Sequence, residues 1–216
     1  MYKRKEIIGD CTLYLGDARD ILPTLGHIDC VVSDPPFGMG FVSSRRKLET
    51  KHKAIQNDES TDLLKWICNL EVSHSKYIFC RWDNLYDVPK PKSYCIWLKN
   101  NHSMGDLEHE HARKTESILF YAGQNHHFPN GRPNDIFKSS RTGNELHPTQ
   151  KPVCLMTQII QHTAGVVIDP FMGSGTTLVA CAKTGRKGIG IEIDTEYFEI
   201  ACQRVREAYM QPDLFI

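Results

Sequence analysis

The chain has 216 residues, which at roughly 150 residues per domain reads as one domain with insertions. Its 40% apolar content rises to about 47% once the 15 glycines are added, which excludes a chain disordered throughout. Basic and acidic residues balance at 26 each, which excludes a histone-like binder but not a nucleic-acid enzyme with a local basic patch.

Short apolar runs alternate with helical patterns, as in an α/β domain with a mainly parallel sheet. In chain order, strands are predicted at 11–16, 29–33, 77–80, 94–98, 117–121, 166–169 and 188–192. Helices are predicted at 61–72, 153–162, 176–184 and 195–209. The last is the clearest, because Tyr197, Ile200, Ala201, Val205 and Ala208 recur at helical spacing. Two stretches resist assignment: 38–60 is polar and charged, and 100–150 is rich in His, Asn, Gly and Pro. Loops of that length in a compact domain are expected to be functional or mobile. The longest uncharged stretch, between Lys151 and Asp169, carries Thr157, Gln158, Gln161, His162 and Thr163, so no membrane span is expected. Asp10 interrupts any apolar signal core near the start. Eight cysteines occur without a CxxC pair and mostly in apolar runs, the pattern of buried reduced thiols in a cytosolic protein.

The strand IDCVVS runs directly into Asp34, Pro35, Pro36 and Phe37. Two prolines fix two backbone torsions, push Asp34 to an extended conformation and remove two N–H donors. The resulting turn presents only acceptors, beside an aromatic ring. It complements an exocyclic amine on a planar base or amide, whose two N–H groups need two acceptors. On its own the tetrapeptide also fits a Pro-rich turn that merely ends a strand, with Asp34 capping something local.

A second strand, VVIDP, leads into Asp169, Pro170, Phe171, Met172, Gly173, Ser174, Gly175, Thr176 and Thr177, followed by the apolar helix LVACA. Strand, Gly-x-Gly turn and helix make a nucleotide-type element. No Lys follows the second Gly, so the segment is not a P-loop, and the third Gly of the dinucleotide fingerprint is missing. A ligand without a diphosphate fits better. Glu192 lies 19 residues beyond Gly173, where an acidic side chain reaches ribose hydroxyls. A tight turn beside a surface glutamate is the alternative.

Together these segments resemble the amino-methyltransferases that use S-adenosylmethionine. DPPF matches their catalytic motif, DPFMGSGTT their cofactor motif and GIEID their ribose-binding strand. LGDA (15–18), TESILFYA (115–122) and HPTQKP (147–152) resemble three further family segments. The catalytic loop precedes the cofactor loop by 135 residues, as in the β-type, circularly permuted DNA amino-methyltransferases. The resemblance is dense over 8–37 and 145–208 and thin over 38–110. Phe37 stands where Tyr is commoner, which keeps stacking and loses a hydroxyl.

The resemblance implies an α/β, Rossmann-like methyltransferase domain over 1–216. It implies a mainly parallel seven-stranded sheet, circularly permuted, with a small target-recognition insertion at 100–146 and a mobile loop at 38–60. The implied reaction moves a methyl group from S-adenosylmethionine to the N6 amine of adenine in DNA after base flipping. DPP rather than SPP favours adenine over the N4 amine of cytosine, and amines on RNA or protein glutamine stay open. The implied catalytic residues are Asp34, Pro35, Pro36 and Phe37. Those implied at the cofactor are Asp17, Ala18, Asp34, Lys151, Asp169, Phe171, Gly173, Ser174, Gly175, Thr176, Thr177 and Glu192.

Double-stranded DNA is the expected partner. Arg45, Arg46, Lys47, Lys51 and Lys53, with His52 among them, form a basic run suited to phosphates, or an ordinary solvated loop. Arg113, Arg132 and Arg141 are the candidates for reading bases. His109, His111, His126 and His127 lack the neighbouring Cys or acidic pattern of a metal site, so none is expected. The resemblance leaves room for a homodimer and a cognate restriction endonuclease. It implies a cytoplasmic protein of a bacterium or bacteriophage.

Overall fold

The computed structural model describes residues 1–36, 60–101, 108–109, 111–141 and 150–210. Nine strands are present: β1 (Arg4–Ile8), β2 (Cys11–Leu15), β3 (Cys30–Ser33), β4 (Ser75–Cys80), β5 (Ser93–Lys99), β6 (Thr115–Ala122), β7 (Ile136–Ser139), β8 (Val167–Asp169) and β9 (Gly188–Glu192). They form one sheet in the order β1-β2-β9-β8-β3-β4-β6-β5-β7. The strands β2, β9, β8, β3 and β4 run parallel. β6 is antiparallel to both β4 and β5, and β7 returns parallel to β5.

All seven predicted strands are therefore found, but the sheet has nine rather than seven. β1 was missed because an outer strand need not alternate: Arg4, Lys5 and Glu6 keep the edge charged and blunt it against further pairing. β7 is four residues long on the opposite edge, inside a stretch whose composition reads as loop.

Helices α1 (Ala18–Ile21) and α2 (Asp62–Asn69) cover one face; α3 (Val153–Ile160), α4 (Thr176–Lys183) and α5 (Thr195–Met210) cover the other. Strand alternation divides the core accordingly. Leu13 and Leu15 of β2 join Leu155, Leu178 and Phe198 beneath α3, α4 and α5. Tyr14 faces the opposite way, with Ile21, Leu64 and Ile67. Helix α2 ends three residues short of its predicted limit. The buried Lys76 ammonium of β4 donates to the carbonyls of Cys68 and Leu70, both at 2.5 Å, and so satisfies the helix's last acceptors.

Seven cysteines are buried and Cys154 is exposed; all eight are free thiols. Among the described residues no helix is long and apolar enough to cross a membrane.

Candidate active site

Neighbouring strands β8 and β3 send their chains in opposite directions along the sheet, β8 through α4 to β9 and β3 through α2 to β4. The crevice outside their carboxyl ends is where open α/β sheets bind ligands. The two sequence loops open there, one from each strand.

The loops are pinned together by a buried carboxylate. Ser33 Oγ donates to Asp169 Oδ1 at 2.6 Å, Thr177 Oγ1 donates to Asp169 Oδ2 at 2.5 Å, and the Phe171 N–H donates to Oδ1 at 3.2 Å. Burial pushes the Asp169 carboxyl up to about 6 even so. Asp169 thus ties β3, β8 and the start of α4 together. Ser33, at the end of an apolar strand, carried no sequence signal.

The glycine turn follows. Gly173 and Gly175 have φ of +51° and +80°. The Gly173 N–H donates to Glu192 Oε2 at 2.9 Å, while those of Ile193 and Asp194 donate to Oε1 at 2.9 and 2.8 Å. An ionised carboxylate has about four acceptor positions, so one remains on Glu192 for a ligand hydroxyl. Burial pushes Glu192 up to about 7 against the pull of those N–H groups. Arg204 of α5 clamps the same turn from behind, donating to Ser174 O at 2.6 Å, Ser174 Oγ at 2.9 Å and Thr176 Oγ1 at 3.3 Å. Sequence reading missed Arg204, which lies four residues past Ile200 and next to Val205, at the edge of the helix's apolar stripe. Asp17, after β2, caps α1 and is held by the Arg19 guanidinium at 2.8 Å, which keeps its carboxyl below the usual range. Ala18 is buried beside it.

The acceptor turn is built on a charged array. Lys151 Nζ donates to Asp34 Oδ2 at 2.5 Å and lies 3.4 Å from Glu116 Oε2. Lys99 Nζ donates to Glu116 Oε1 at 2.5 Å. Asp34 Oδ1 is buried with no hydrogen-bond partner among the described residues. Burial raises the Asp34 pKa, opposed by Lys151. Burial alone would lower Lys151, but Asp34 and Glu116 together hold it above its ordinary value. The structure therefore sets Lys151 on Asp34. Glu116 and Lys99 were not anticipated, because each looks like an ordinary polar residue at a strand end.

Pro35 and Pro36 follow Asp34 as expected, whereas Phe37 and the basic residues Arg45, Arg46, Lys47, Lys51 and Lys53 lie outside the described residues. So does the predicted loop over 38–60, apart from Ser60. The three arginines expected to read bases are not gathered. Arg113 precedes β6 and Arg141 follows β7, both at the carboxyl edge beside Lys99. Arg132 is exposed, two residues past Asn130, whose amide donates to Gln161 O at the end of α3 remote from Lys151. The span 100–146 also contains β6 and β7, which belong to the sheet. His126 and His127 pack around His74, with His126 also against Phe120 and Phe128. Among the described residues no three His, Cys, Asp or Glu side chains are placed to hold a metal ion.

A sheet of this order, with a glycine turn, an acidic residue ending the next strand and an acceptor turn across the switch point, is the Rossmann-like fold of the methyltransferase structures it resembles. A family model described as DNA methylase, of the N6/N4 methyltransferase type, matches residues 124–203. The Escherichia coli (strain K12) protein YubD is 28% identical over 212 residues, 88% of either chain. The DNA adenine methyltransferase YhdJ of the same organism is 45% identical over 64 residues, which are 28% of this chain and 22% of YhdJ. The crystal structure of the M1.HpyAVI–SAM complex superposes with a TM-score of 0.66 at 26% identity, covering 90% of this chain and 99% of that one. The cytosine-N4-specific PvuII DNA methyltransferase shares the fold, with a TM-score of 0.70 at 16% identity over 98% of this chain and 96% of that one. The similarity to the N6/N4 DNA methylase family model thus lies over residues 124–203, and that to YubD and M1.HpyAVI extends over most of the chain, with the acceptor turn preceding the glycine turn.

Proposed function

We propose that the protein methylates the N6 amine of adenine in double-stranded DNA, with S-adenosylmethionine as donor. The observation that carries this reading is Asp34 Oδ1, a buried carboxylate oxygen at the switch point with no donor among the described residues. Such an oxygen is costly to leave without a hydrogen bond. An amine N–H supplies the missing donor.

S-adenosylmethionine brings a methyl group on a positively charged sulfur. The residues around the glycine turn suit it: Glu192 keeps one acceptor position for a ribose hydroxyl, and Gly173 lets the backbone approach closely. M1.HpyAVI, with a similar fold, was crystallised with SAM. Asp34 and the Pro35 carbonyl hold the two amine hydrogens, which localises the nitrogen lone pair. Nitrogen bonds to the methyl carbon as the carbon–sulfur bond breaks. The nitrogen becomes positive and then releases a proton to water, so Asp34 need not act as a base beforehand. Positioning and electrostatics provide the rate.

In a duplex the amine is paired, so the base has to be flipped out. Phe37 stacks on it. Arg45, Arg46, Lys47, Lys51 and Lys53 contact phosphates, and Arg113 and Arg141 approach the base edges beside the site. Adenine rather than cytosine is supported by Asp34 itself, in a DPP rather than SPP turn, and by the similarity to YhdJ over the matched segment. The test is transfer of labelled methyl to DNA, RNA and protein in parallel, followed by nucleoside analysis. Label in DNA as N6-methyladenine is expected. Label only in RNA or protein, or as N4-methylcytosine, overturns the assignment.

A further inference from the structure

At the carboxyl edge of the sheet four charged side chains of alternating sign stand in line: Asp34, Lys151, Glu116 and Lys99. Each comes from a different part of the chain: the turn after β3, the segment before α3, the start of β6 and the end of β5. Successive separations are 2.5, 3.4 and 2.5 Å. Lys99 and Lys151 are 6% and 8% exposed. The array is neutral overall, and each of its lysines is held against an aromatic ring. Lys151 sits over the Phe79 ring at 4.9 Å and Lys99 over Trp97 at 4.9 Å.

Such an array is a poor way to gain stability, because desolvating four ions offsets most of their attraction. Its geometry serves something else. Lys151 has three donors and uses them toward two carboxylates, so its ammonium is fixed between Asp34 and Glu116. Oδ2 of Asp34 is thereby occupied, which leaves Oδ1, without a partner among the described residues, as the acceptor for an amine. With Glu116 removed, Lys151 would be free to swing with Asp34. With Lys99 removed, Glu116 would be free to draw Lys151 away from Asp34.

We infer that Glu116 and Lys99 are positioning residues for methyl transfer, acting through Lys151 to hold the Asp34 carboxylate in the orientation that receives the amine. This rests on the function proposed above. It assigns a role to two residues outside both loops, neither of which touches the amine.

The array also fixes the sign of each residue's effect on the acidic limb of the pH–rate profile. The charged groups facing Asp34 are Lys151, Glu116, Lys99 and, from β8, Asp169; Arg141 acts on Lys99. Glu116 disfavours ionised Asp34 and Lys99 favours it. Glu116→Gln therefore moves the acidic limb to lower pH, and Lys99→Met moves it to higher pH. Both variants lower kcat.

The experiment compares wild type, Glu116→Gln, Lys99→Met and the double variant in single-turnover methylation of DNA across pH. S-adenosylmethionine and DNA affinities and circular dichroism are measured alongside. Each single change is expected to reduce kcat about tenfold or more, with both affinities within about twofold of wild type and the limbs moving in opposite directions. The double variant, which removes a neutral pair and avoids an uncompensated buried charge, is expected to lose less than the product of the two single losses. Folded variants with wild-type kcat, or limbs that move together, overturn the inference while leaving the proposed function intact. If the single variants fail to fold, a folded double variant with wild-type kcat overturns it as well. A wild-type chain that methylates no DNA overturns both readings.

Discussion

Replacing Gly175 by alanine tests the loop on which the cofactor reading depends. Gly175 opens α4 with φ of +80°, where a β carbon costs about 1–2 kcal/mol. That carbon would also sit 2.8 Å from Ala201 Cβ and 3.0 Å from Ala201 Cα. Ala201 is fully buried in α5, so backbone rather than a flexible side chain has to give way. Overpacking of this kind adds about 1–3 kcal/mol. The expected loss is therefore about 2–5 kcal/mol. Gly185, with φ of +63° and nothing within 4 Å of its would-be β carbon, is the control. Its alanine variant should lose only the backbone share. Urea unfolding of both variants, with calorimetric titration of S-adenosylmethionine, makes the comparison. Equal losses at the two glycines would refute the argument that α5 is packed directly against the turn.

Glu192 has its carboxyl raised from 4.5 to about 7 by burial, so folding favours its protonated form; this contribution to stability is present below pH 4.5 and fades as pH rises through about 7, a loss of about 3 kcal/mol. Glu192→Gln should flatten that stretch of the stability profile, and an unchanged slope would count against the assignment. Arg204→Leu leaves the Ser174 carbonyl without its guanidinium donor and should weaken both stability and S-adenosylmethionine binding by about 1–3 kcal/mol, measured by unfolding and titration. Neutralising Arg113 and Arg141 should lower DNA affinity and relax the sequence preference of methylation, read from methylation maps. Arg132→Ala should leave both unchanged, and equal effects from all three would contradict their separation.

What the sequence revealed depended on whether a residue's job was local. The parallel strands were legible because burial on both faces makes them continuous apolar runs. The glycine turn and the proline turn were legible because backbone geometry demands those residue types. Glu192 was found because its distance from Gly173 follows from one strand-turn-helix-strand unit. The misses share a different cause. β1 is a charged edge strand without alternation, and β7 is an edge strand of only four residues that exposes Ile136 and buries Ser139, so neither shows an apolar/polar pattern. Ser33, Arg204, Glu116 and Lys99 act on partners 136, 30, 35 and 17 residues away, and only the fold makes those pairs visible. The separation of Arg132 from Arg113 and Arg141 was hidden for the same reason, since nearness in a loop-rich stretch says nothing of where its strands carry each residue.

The most direct test of the account is nucleoside analysis of duplex DNA incubated with the purified protein and isotopically labelled S-adenosylmethionine, run beside Asp34→Asn. The account predicts labelled N6-methyladenine from the wild type. It predicts a loss on the order of 100-fold or more in the variant, with S-adenosylmethionine still bound. Near wild-type transfer by Asp34→Asn, or label found only as N4-methylcytosine, would contradict it.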